Sequence, residues 1–212
     1  MATKIFTVAI LLITAMATTF STCKKGGLGC ANTVYNFKIG VTAYPDKDSI
    51  HIGDTLWFEL NAPTSLQDNN SGKLIDYSGA SNLGTAISVV KFIGGSISDP
   101  GAVYSANSFN YFLAIGNPVN NSFVEGIREY LFLENNNQYK FKLAIIPQQL
   151  GIYSLGISNA ANVYRHSDPC TKAGFEIDFE NTNQHLYFLQ ENRPGYTISG
   201  SELTSLYCFK VY

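Results

Sequence analysis

Residues 35–43, YNFKIGVTA, decide how this chain folds, because apolar and polar side chains alternate along the whole stretch. One face carries the apolar side chains Tyr35, Phe37, Ile39, Val41 and Ala43. Successive side chains of a β-strand point to opposite faces of the sheet. The pattern therefore predicts a strand with one face in a core and the other face towards water.

Similar alternation returns further along the chain, between segments rich in glycine, proline, aspartate and asparagine. A composition with 13% aromatic and only 14% charged residues suits strands joined by turns better than helices. Residues 135–137, three consecutive asparagines, predict a hairpin turn. The predicted strands are 49–52, 55–60, 86–93, 109–115, 128–134 and 138–146.

Two stretches resemble immunoglobulin-like domains. Residues 147–155, PQQLGIYSL, resemble the corner at which a Gly-x-Tyr follows a long strand and the tyrosine hydroxyl bonds back to the corner. Residues 48–60, DSIHIGDTLWFEL, resemble the strand-turn-strand opening of many exported domains of this kind. The resemblance implies a mainly β fold, an immunoglobulin-like antiparallel β-sandwich of about seven strands over residues 33–160. It concerns architecture only, because the antibody-type Cys and Trp pattern is missing.

The C-terminal region, residues 161–212, predicts an elaboration of the sandwich by short helices and a closing strand. A first helix is expected over 181–190, capped by Asn181 or Asn183. Ser199 and Glu202 have the Ser-x-x-Glu spacing of a capping box before a second helix. Residues 207–212 then form the closing strand, and we expect residues 33–212 to fold as one domain.

The N-terminus predicts export. Residues 5–16, IFTVAILLITAM, are uncharged and follow Lys4. An apolar run of about 12 residues suits a signal peptide, whereas a membrane span needs about 20. We therefore interpret residues 1–22 as a signal peptide.

The point of cleavage has two interpretations. Residues 20–23, FSTC, resemble the lipobox of bacterial lipoproteins, with Cys23 as the acylated residue and residues 23–32 as a flexible tether. The sequence CKKGG after such a signal is similar to exported lipoproteins of Bacteroidota-type diderm bacteria. That resemblance implies an acyl anchor on Cys23 and a place in the cell envelope, at the outer membrane. The alternative is ordinary signal-peptidase cleavage after residues 15–17, AMA.

Cysteine usage depends on that choice. Acylation of Cys23 leaves Cys30, Cys170 and Cys208. We expect a disulfide between Cys170 and Cys208, because both belong to the C-terminal region, with Cys30 left over or displacing one of them. Ordinary cleavage would leave four cysteines in an undetermined pairing, and all of them could instead be buried thiols. The absence of a C-x-x-C pair gives no support to thioredoxin or zinc-finger chemistry.

Charge and motifs exclude several functions. The formal net charge is −2, and removal of Lys4 with the signal peptide makes it −3. Since no Lys/Arg cluster follows residues 24–25, we expect no nucleic-acid partner. Residues 68–72, DNNSG, resemble the start of a calcium loop, but their glycine falls one position early and position 12 is Gly79 instead of glutamate. We expect no metal, no cofactor and no catalytic residue.

Trp57 is the most informative candidate for a binding residue, because it lies opposite the apolar face of its predicted strand. One interpretation buries the indole beneath residues 61–84 or the C-terminal helices. The other combines Trp57, Glu59 and neighbouring tyrosines into an aromatic platform for a sugar ring.

Three functions follow. The first is an exported, membrane-anchored lipoprotein with a non-catalytic role in binding another protein or building the envelope. The alternative is a glycan-binding accessory surface lipoprotein that binds polysaccharide near Trp57, similar in layout to those of starch-utilisation systems. The second alternative is an enzyme whose site gathers His166, Asp168 or Glu176 from separate parts of the chain.

Overall fold

The computed structural model describes residues 33–94, 101–119, 126–193 and 195–212. The predicted signal peptide, the tether, Cys23 and Cys30 lie outside the described residues. Within the described ranges, no helix is long and apolar enough to cross a membrane.

Strands dominate the described chain. In chain order they are β1 (Thr33–Tyr44), β2 (Ser49–Ile50), β3 (Leu56–Pro63), β4 (Ser65–Gln67), β5 (Leu74–Asp76), β6 (Ala80–Ser81), β7 (Gly84–Phe92), β8 (Ala102–Tyr104), β9 (Phe109–Ile115), β10 (Asn117–Pro118), β11 (Ile127–Leu131), β12 (Leu133–Asn135), β13 (Gln138–Pro147), β14 (Gly151–Ile157), β15 (Ala160–Arg165), β16 (Asp168–Phe179) and β17 (Leu206–Val211). Two short helices, α1 (Tyr187–Asn192) and α2 (Glu202–Ser205), precede β17. A 3₁₀ turn at Ala106–Ser108 precedes β9.

The strands form two main sheets. The first has the order β12-β13-β3-β1-β16-β15-β6, and β9 also pairs with β13. The second has the order β10-β11-β7-β14-β17-β2, and β8 also pairs with β7. Most neighbours are antiparallel, but β1 pairs with β16 and β2 with β17 in parallel. β4 and β5 form a separate hairpin.

The core lies between the two main sheets. Alternate residues of β1 contribute to it, and their neighbours on the same strand are half-buried or exposed, which confirms the amphipathic strand predicted from residues 35–43. Both sheets supply fully buried aromatic rings, including Phe37, Phe58, Phe141, Phe175, Tyr153 and Phe209. The predicted mainly β, immunoglobulin-like sandwich is therefore confirmed.

Two local predictions are also confirmed. The Tyr153 hydroxyl donates a hydrogen bond to the carbonyl oxygen of Gln149 at 3.1 Å, as the resemblance to the immunoglobulin corner implies. Asn136 and Asn137 connect β12 to β13 with φ of 52° and 59°. Two consecutive residues with positive φ are typical of the tight turns that match the twist of a hairpin.

The C-terminal region has the predicted short helices and closing strand, and it also supplies a strand to each main sheet. β16 pairs with β1 inside the first sheet and β17 pairs with β14 inside the second, so the two sheets are not complete at residue 160. The first helix begins at Tyr187, without a side-chain cap. Asn181 instead bonds to the backbone of Ala43, and Asn183 accepts a bond from His185 N–H in a turn.

The capping box is present. Glu202 Oε2 accepts a hydrogen bond from Ser199 N–H at 2.8 Å, and Ser199 Oγ accepts one from Glu202 N–H at 3.4 Å. These reciprocal bonds are the ones that define a capping box. The predicted role of Ser199 and Glu202 is confirmed, although α2 itself has a single turn.

The predicted disulfide between Cys170 and Cys208 is wrong. Cys208 is a free thiol on β17 in the second sheet, buried together with Phe92, Phe188 and Leu189 beneath α1. Burial raises the pKa of this thiol to about 11. Cys170 lies on β16 in the other sheet, so membership of the same sequence region did not bring the two cysteines together.

Candidate functional site

A cavity of about 450 Å³ opens on the outer face of the first sheet, where β1 and β3 separate. The two strands pair only at Thr42–Tyr44 with Trp57–Glu59. Beyond Thr42, Gly40 and Lys38 have no partner on β3. We call this cavity the fork pocket; its polar lining comprises Lys38, Gly40, Thr42, Tyr44, Glu59, Asn61 and Glu180.

Gly40 lies beneath the side chain of Glu180. A β-carbon at Gly40 would lie 1.9 Å from Glu180 Cδ, so the carboxyl group occupies the space that a side chain would fill. Glu180 is anchored through its own N–H, which donates a 2.9 Å hydrogen bond to the Val41 carbonyl oxygen. Its carboxylate has no hydrogen-bond or ion-pair partner among the described residues. The carboxylate is therefore available to a ligand in the fork pocket.

The backbone of β1 adds further hydrogen-bonding groups. Asn36 uses its N–H and C=O on the edge away from β16, where they meet the Asp68 carboxylate and the Asn69 N–H. Alternate residues of a strand direct these groups to the same edge, so Lys38 and Gly40 direct theirs towards the fork pocket. Because β3 does not pair there, those groups face the pocket.

Aromatic side chains form a row beside the fork pocket. Tyr44 lies opposite Trp57, Trp57 opposite Ala144, and Ala144 opposite Phe112, so the row crosses β1, β3, β13 and β9. The Tyr44 and Trp57 rings are stacked, with centroids 6.4 Å apart, and Phe112 meets Trp57 edge-on at 6.5 Å. We call Tyr44, Trp57 and Phe112 the aromatic platform.

The small side chain of Ala144 leaves room in this row. Phe112 is 60% exposed and Trp57 is half-buried, so the platform presents ring surface to solvent. The rings that flank Trp57 come from β1 and β9. The C-terminal helix α1 covers the second sheet instead, which places it away from the position predicted for it above the indole.

Glu59 connects the platform to the fork pocket. Its Oε2 accepts a hydrogen bond from the Tyr44 hydroxyl at 3.0 Å and another from Lys142 Nζ at 3.1 Å. Neither bond uses Oε1. Hydrogen bonding to Tyr44 and Glu59 raises the pKa of Lys142, whose Nζ lies 5.1 Å from the Trp57 ring centroid. These contacts hold the platform in one arrangement.

Carboxylates outnumber lysines in the lining of the fork pocket. Lys38 Nζ lies 2.5 Å from Asp178 and 3.7 Å from Glu176 on β16. Its pKa is raised, chiefly by the hydrogen bond to Asp178. The charged side chains that line the pocket itself are Lys38, Glu59 and Glu180, one cation against two carboxylates.

The structure thus brings together Trp57 and Glu59, the two residues that the sequence suggested for ligand binding. Sequence reasoning missed Tyr44, Phe112, Lys38 and Glu180. Tyr44 and Lys38 follow the same alternation as the rest of β1, so their shared outer face was readable. Phe112 was not, because only the pairing of β9 with β13 places it beside Trp57.

Two residues of the enzyme alternative, Asp168 and Glu176, lie far apart. Asp168 and Glu176 both belong to β16, and eight residues of strand separate them by about 26 Å. His166 is exposed and its Nδ1 is 3.1 Å from Ser81 Oγ. Asp168 and Glu176 therefore do not meet in one cleft.

Residues 68–72 form a turn held by its first side chain. Asp68 Oδ2 accepts bonds from Ser71 N–H and Ser71 Oγ, and Oδ1 accepts one from Asn36 N–H. These bonds lower the pKa of Asp68, with the Asn36 bond as the largest cause. No group of three or more His, Cys, Asp or Glu side chains could hold a metal ion in the part of the chain that the structure describes.

No protein-family model and no curated protein matches the chain. Among solved structures it is similar to the type II cohesin dyad from the adaptor ScaA scaffoldin of Acetivibrio cellulolyticus, with 9% identity and a TM-score of 0.32 over 66% of this chain and 46% of that one. A type II cohesin domain from the cellulosome of the same organism shares 8% identity, with a TM-score of 0.28 over 66% and 91% of the two chains. The CupB6 tip adhesin from Pseudomonas aeruginosa shares 11% identity, with a TM-score of 0.18 over 71% and 41%.

Proposed function

We propose that this protein is an exported, membrane-anchored, non-catalytic binding protein whose ligand is a glycan. The observation that carries the proposal is the contact between the aromatic platform and the fork pocket through Glu59 and Tyr44. An apolar ring surface lies directly beside a cavity with carboxylate, amide, hydroxyl and backbone groups.

A sugar ring matches this combination. Its C–H faces pack against aromatic rings, while its hydroxyl groups donate and accept hydrogen bonds around the rim. In the fork pocket, Glu180, Oε1 of Glu59 and the backbone of Gly40 supply the polar partners. The Glu180 carboxylate in the pocket, unpaired among the described residues, favours a neutral glycan over an anionic one, since like charges repel.

Trp57 offers the sharpest test of the proposal. We expect a Trp57→Ala variant to bind a neutral polysaccharide about tenfold more weakly, because an aromatic contact contributes about 1.5 kcal/mol at most beyond area burial and 1.4 kcal/mol corresponds to a factor of ten. Tyr164→Ala is a matched control, because Tyr164 is a 43% exposed aromatic residue on β15 of the same sheet. Native gels that contain starch-type glucan, xylan or polygalacturonate would measure the retardation of each variant.

At least one neutral polysaccharide should retard the wild-type protein and Tyr164→Ala equally. The same polysaccharide should retard Trp57→Ala less. Absence of retardation of the wild type by every neutral polysaccharide would contradict the proposal. Equal retardation of Trp57→Ala and the wild type would show that the aromatic platform does not contribute to glycan binding.

The anchor requires a separate experiment. We propose that Cys23 carries the acyl chain and that the protein lies at the outer membrane, on the basis of the lipobox-like residues before Cys23 and the tether after it. Metabolic labelling with a fatty acid should mark the wild type and not Cys23→Ala, which should leave the membrane fraction. A labelled, membrane-bound Cys23→Ala would refute acylation at this residue.

A further inference from the structure

We infer that Cys170 forms a disulfide with Cys30. Cys170 is disulfide-bonded, and Cys208 is free. The chain contains only four cysteines, so the partner is Cys23 or Cys30. Both lie outside the described residues, and the choice between them comes from the register of β1 against β16.

The parallel pairing of β1 with β16 places the start of β1 next to Cys170. Thr33 lies opposite Thr171 and Val34 opposite Lys172. Thr171 directly follows Cys170, and Cys30 precedes Thr33 by only three residues, a reach of at most about 11 Å. Cys23 precedes Thr33 by ten residues, a reach of up to about 36 Å.

The short connection is compatible with a disulfide. A disulfide requires a Cα–Cα distance of about 4.4–6.8 Å, which is within the reach of three residues. The entropic cost of closing a loop grows with its length, so the shorter connection favours Cys30 over Cys23.

The bond forms by exchange in the export compartment. The thiols of Cys30 and Cys170 lose two protons and two electrons and form one S–S bond. The electrons reduce the disulfide of a thiol oxidoreductase to two thiols, which take up two protons. Cys208 takes no part, because its thiol is buried beneath α1.

This disulfide would also account for the odd number of cysteines that acylation of Cys23 leaves. With Cys30 paired to Cys170 and Cys208 buried as a thiol, Cys23 alone remains for acylation, a step that rests on the proposed function. The bond would fix the tether to the Thr33 end of β1. The aromatic platform begins at Tyr44, eleven residues further along the strand and about 36 Å away, so it would face away from the membrane.

Peptide mapping of the full chain tests the inference. The protein is purified from membranes, denatured, alkylated without reductant and digested with trypsin. We expect a linked pair of peptides, GGLGCANTVYNFK (26–38) with HSDPCTK (166–172), and an alkylated Cys208. Reduction before alkylation should release both peptides. Cys30→Ser should leave Cys170 open to alkylation, whereas Cys208→Ser should keep the linked pair.

Three outcomes would overturn the inference. They are alkylation of Cys170 in the unreduced wild type, a link between residues 166–172 and the peptide that contains Cys23, and a link to the peptide that contains Cys208. The wild-type peptide map identifies the partner of Cys170 even if Cys30→Ser fails to fold. Its result does not depend on any glycan, so failure here and failure of the proposed function are distinguishable.

Discussion

Gly40 and Gly84 both lie on strands, and each is surrounded by atoms that a β-carbon would meet. At Gly84 that carbon would lie 2.1 Å from the backbone oxygen of Tyr130 and 2.9 Å from Leu131 Cα, on the neighbouring strand. At Gly40 all three nearest atoms belong to the exposed, flexible side chain of Glu180. The first obstacle is fixed by the sheet, and the second can rotate away.

We therefore expect Gly84→Ala to lower the free energy of unfolding by about 2–3 kcal/mol, the upper part of the range found for overpacking. Gly40→Ala should cost less than about 1 kcal/mol, because only the Glu180 side chain has to move. Urea denaturation of the two variants measures both values. Equal destabilisation would show that Glu180 is as rigid as the β11 backbone.

Buried tyrosines predict how stability changes at alkaline pH. Desolvation by burial raises the pKa of Tyr77 and of Tyr111 to about 12, and it also raises the pKa of Tyr139 and Tyr207. The folded protein thus keeps these protons at a pH where the unfolded chain, with a tyrosine pKa of about 10, releases them. Their stabilising effect is fully present below pH about 10 and is lost as the pH rises towards 12.

The urea midpoint should accordingly be flat from pH 8 to about 9. Above about pH 9 it should begin to fall, because the Cys208 thiol ionises there in the unfolded chain and not in the folded one. The larger fall should come between about pH 10 and 12, where the tyrosines do the same. A Tyr77→Phe variant has one titrating group fewer, so its midpoint should fall less steeply over the same interval, whatever its stability at pH 8. A fall of the same steepness in Tyr77→Phe would show that Tyr77 is not among the groups responsible.

At the scale of elements, one side chain extends the pairing of β16 with β1. Asn181 Oδ1 accepts a 2.7 Å bond from Ala43 N–H, and Nδ2 donates a 2.8 Å bond to the Ala43 carbonyl oxygen. Asn181 is buried. The amide therefore takes the place of a backbone partner after β16 has ended at Phe179.

Asn181→Ala should lower the free energy of unfolding by about 2–4 kcal/mol, because it leaves two buried backbone groups of Ala43 without partners and each costs about 1–3 kcal/mol. Asn61→Ala is the control, since Asn61 is exposed on β3 and should change stability by less than about 0.5 kcal/mol. Urea denaturation measures both. A small effect at Asn181 would mean that water replaces the amide.

The elements also show which parts of the fold the sequence could predict. Alternation identified β1, β3, β9 and β13, because apolar and polar residues alternate along a half-buried strand. β16 was missed although Ala173, Phe175, Ile177 and Phe179 alternate in the same way and are buried. The expectation of a helical C-terminal region concealed that pattern.

Which strands pair with each other was harder to predict than which residues form strands. Strand pairing in this protein joins distant parts of the chain, and no local signal encodes the register of β1 against β16 or of β9 against β13. This is why Trp57 and Glu59 were identified as candidates while Phe112 was not. It is also why two cysteines of one sequence region were paired in prediction and lie on different sheets in the structure.

On the scale of the whole molecule, both sheets depend on the ends of the described chain. β1 begins at Thr33 and lies between β3 and β16, and β17 ends at Val211 between β14 and β2. A chain that stopped at residue 160 would lose a central strand from each sheet. The faces of Phe37 and Tyr153 would then lose Phe175 and Phe209 as buried neighbours.

We therefore predict that residues 27–160 do not fold, whereas residues 27–212, which keep Cys30, do. The longer chain should show a strand-type circular dichroism spectrum and one cooperative thermal transition, since a single core spans both sheets. The shorter chain should show neither, because without β16 and β17 each sheet exposes core side chains and unpaired strand edges. A cooperative transition in residues 27–160 would mean that the first half carries a complete core of its own, and the parallel pairing of β1 with β16 would then be an addition to the sandwich and not its centre.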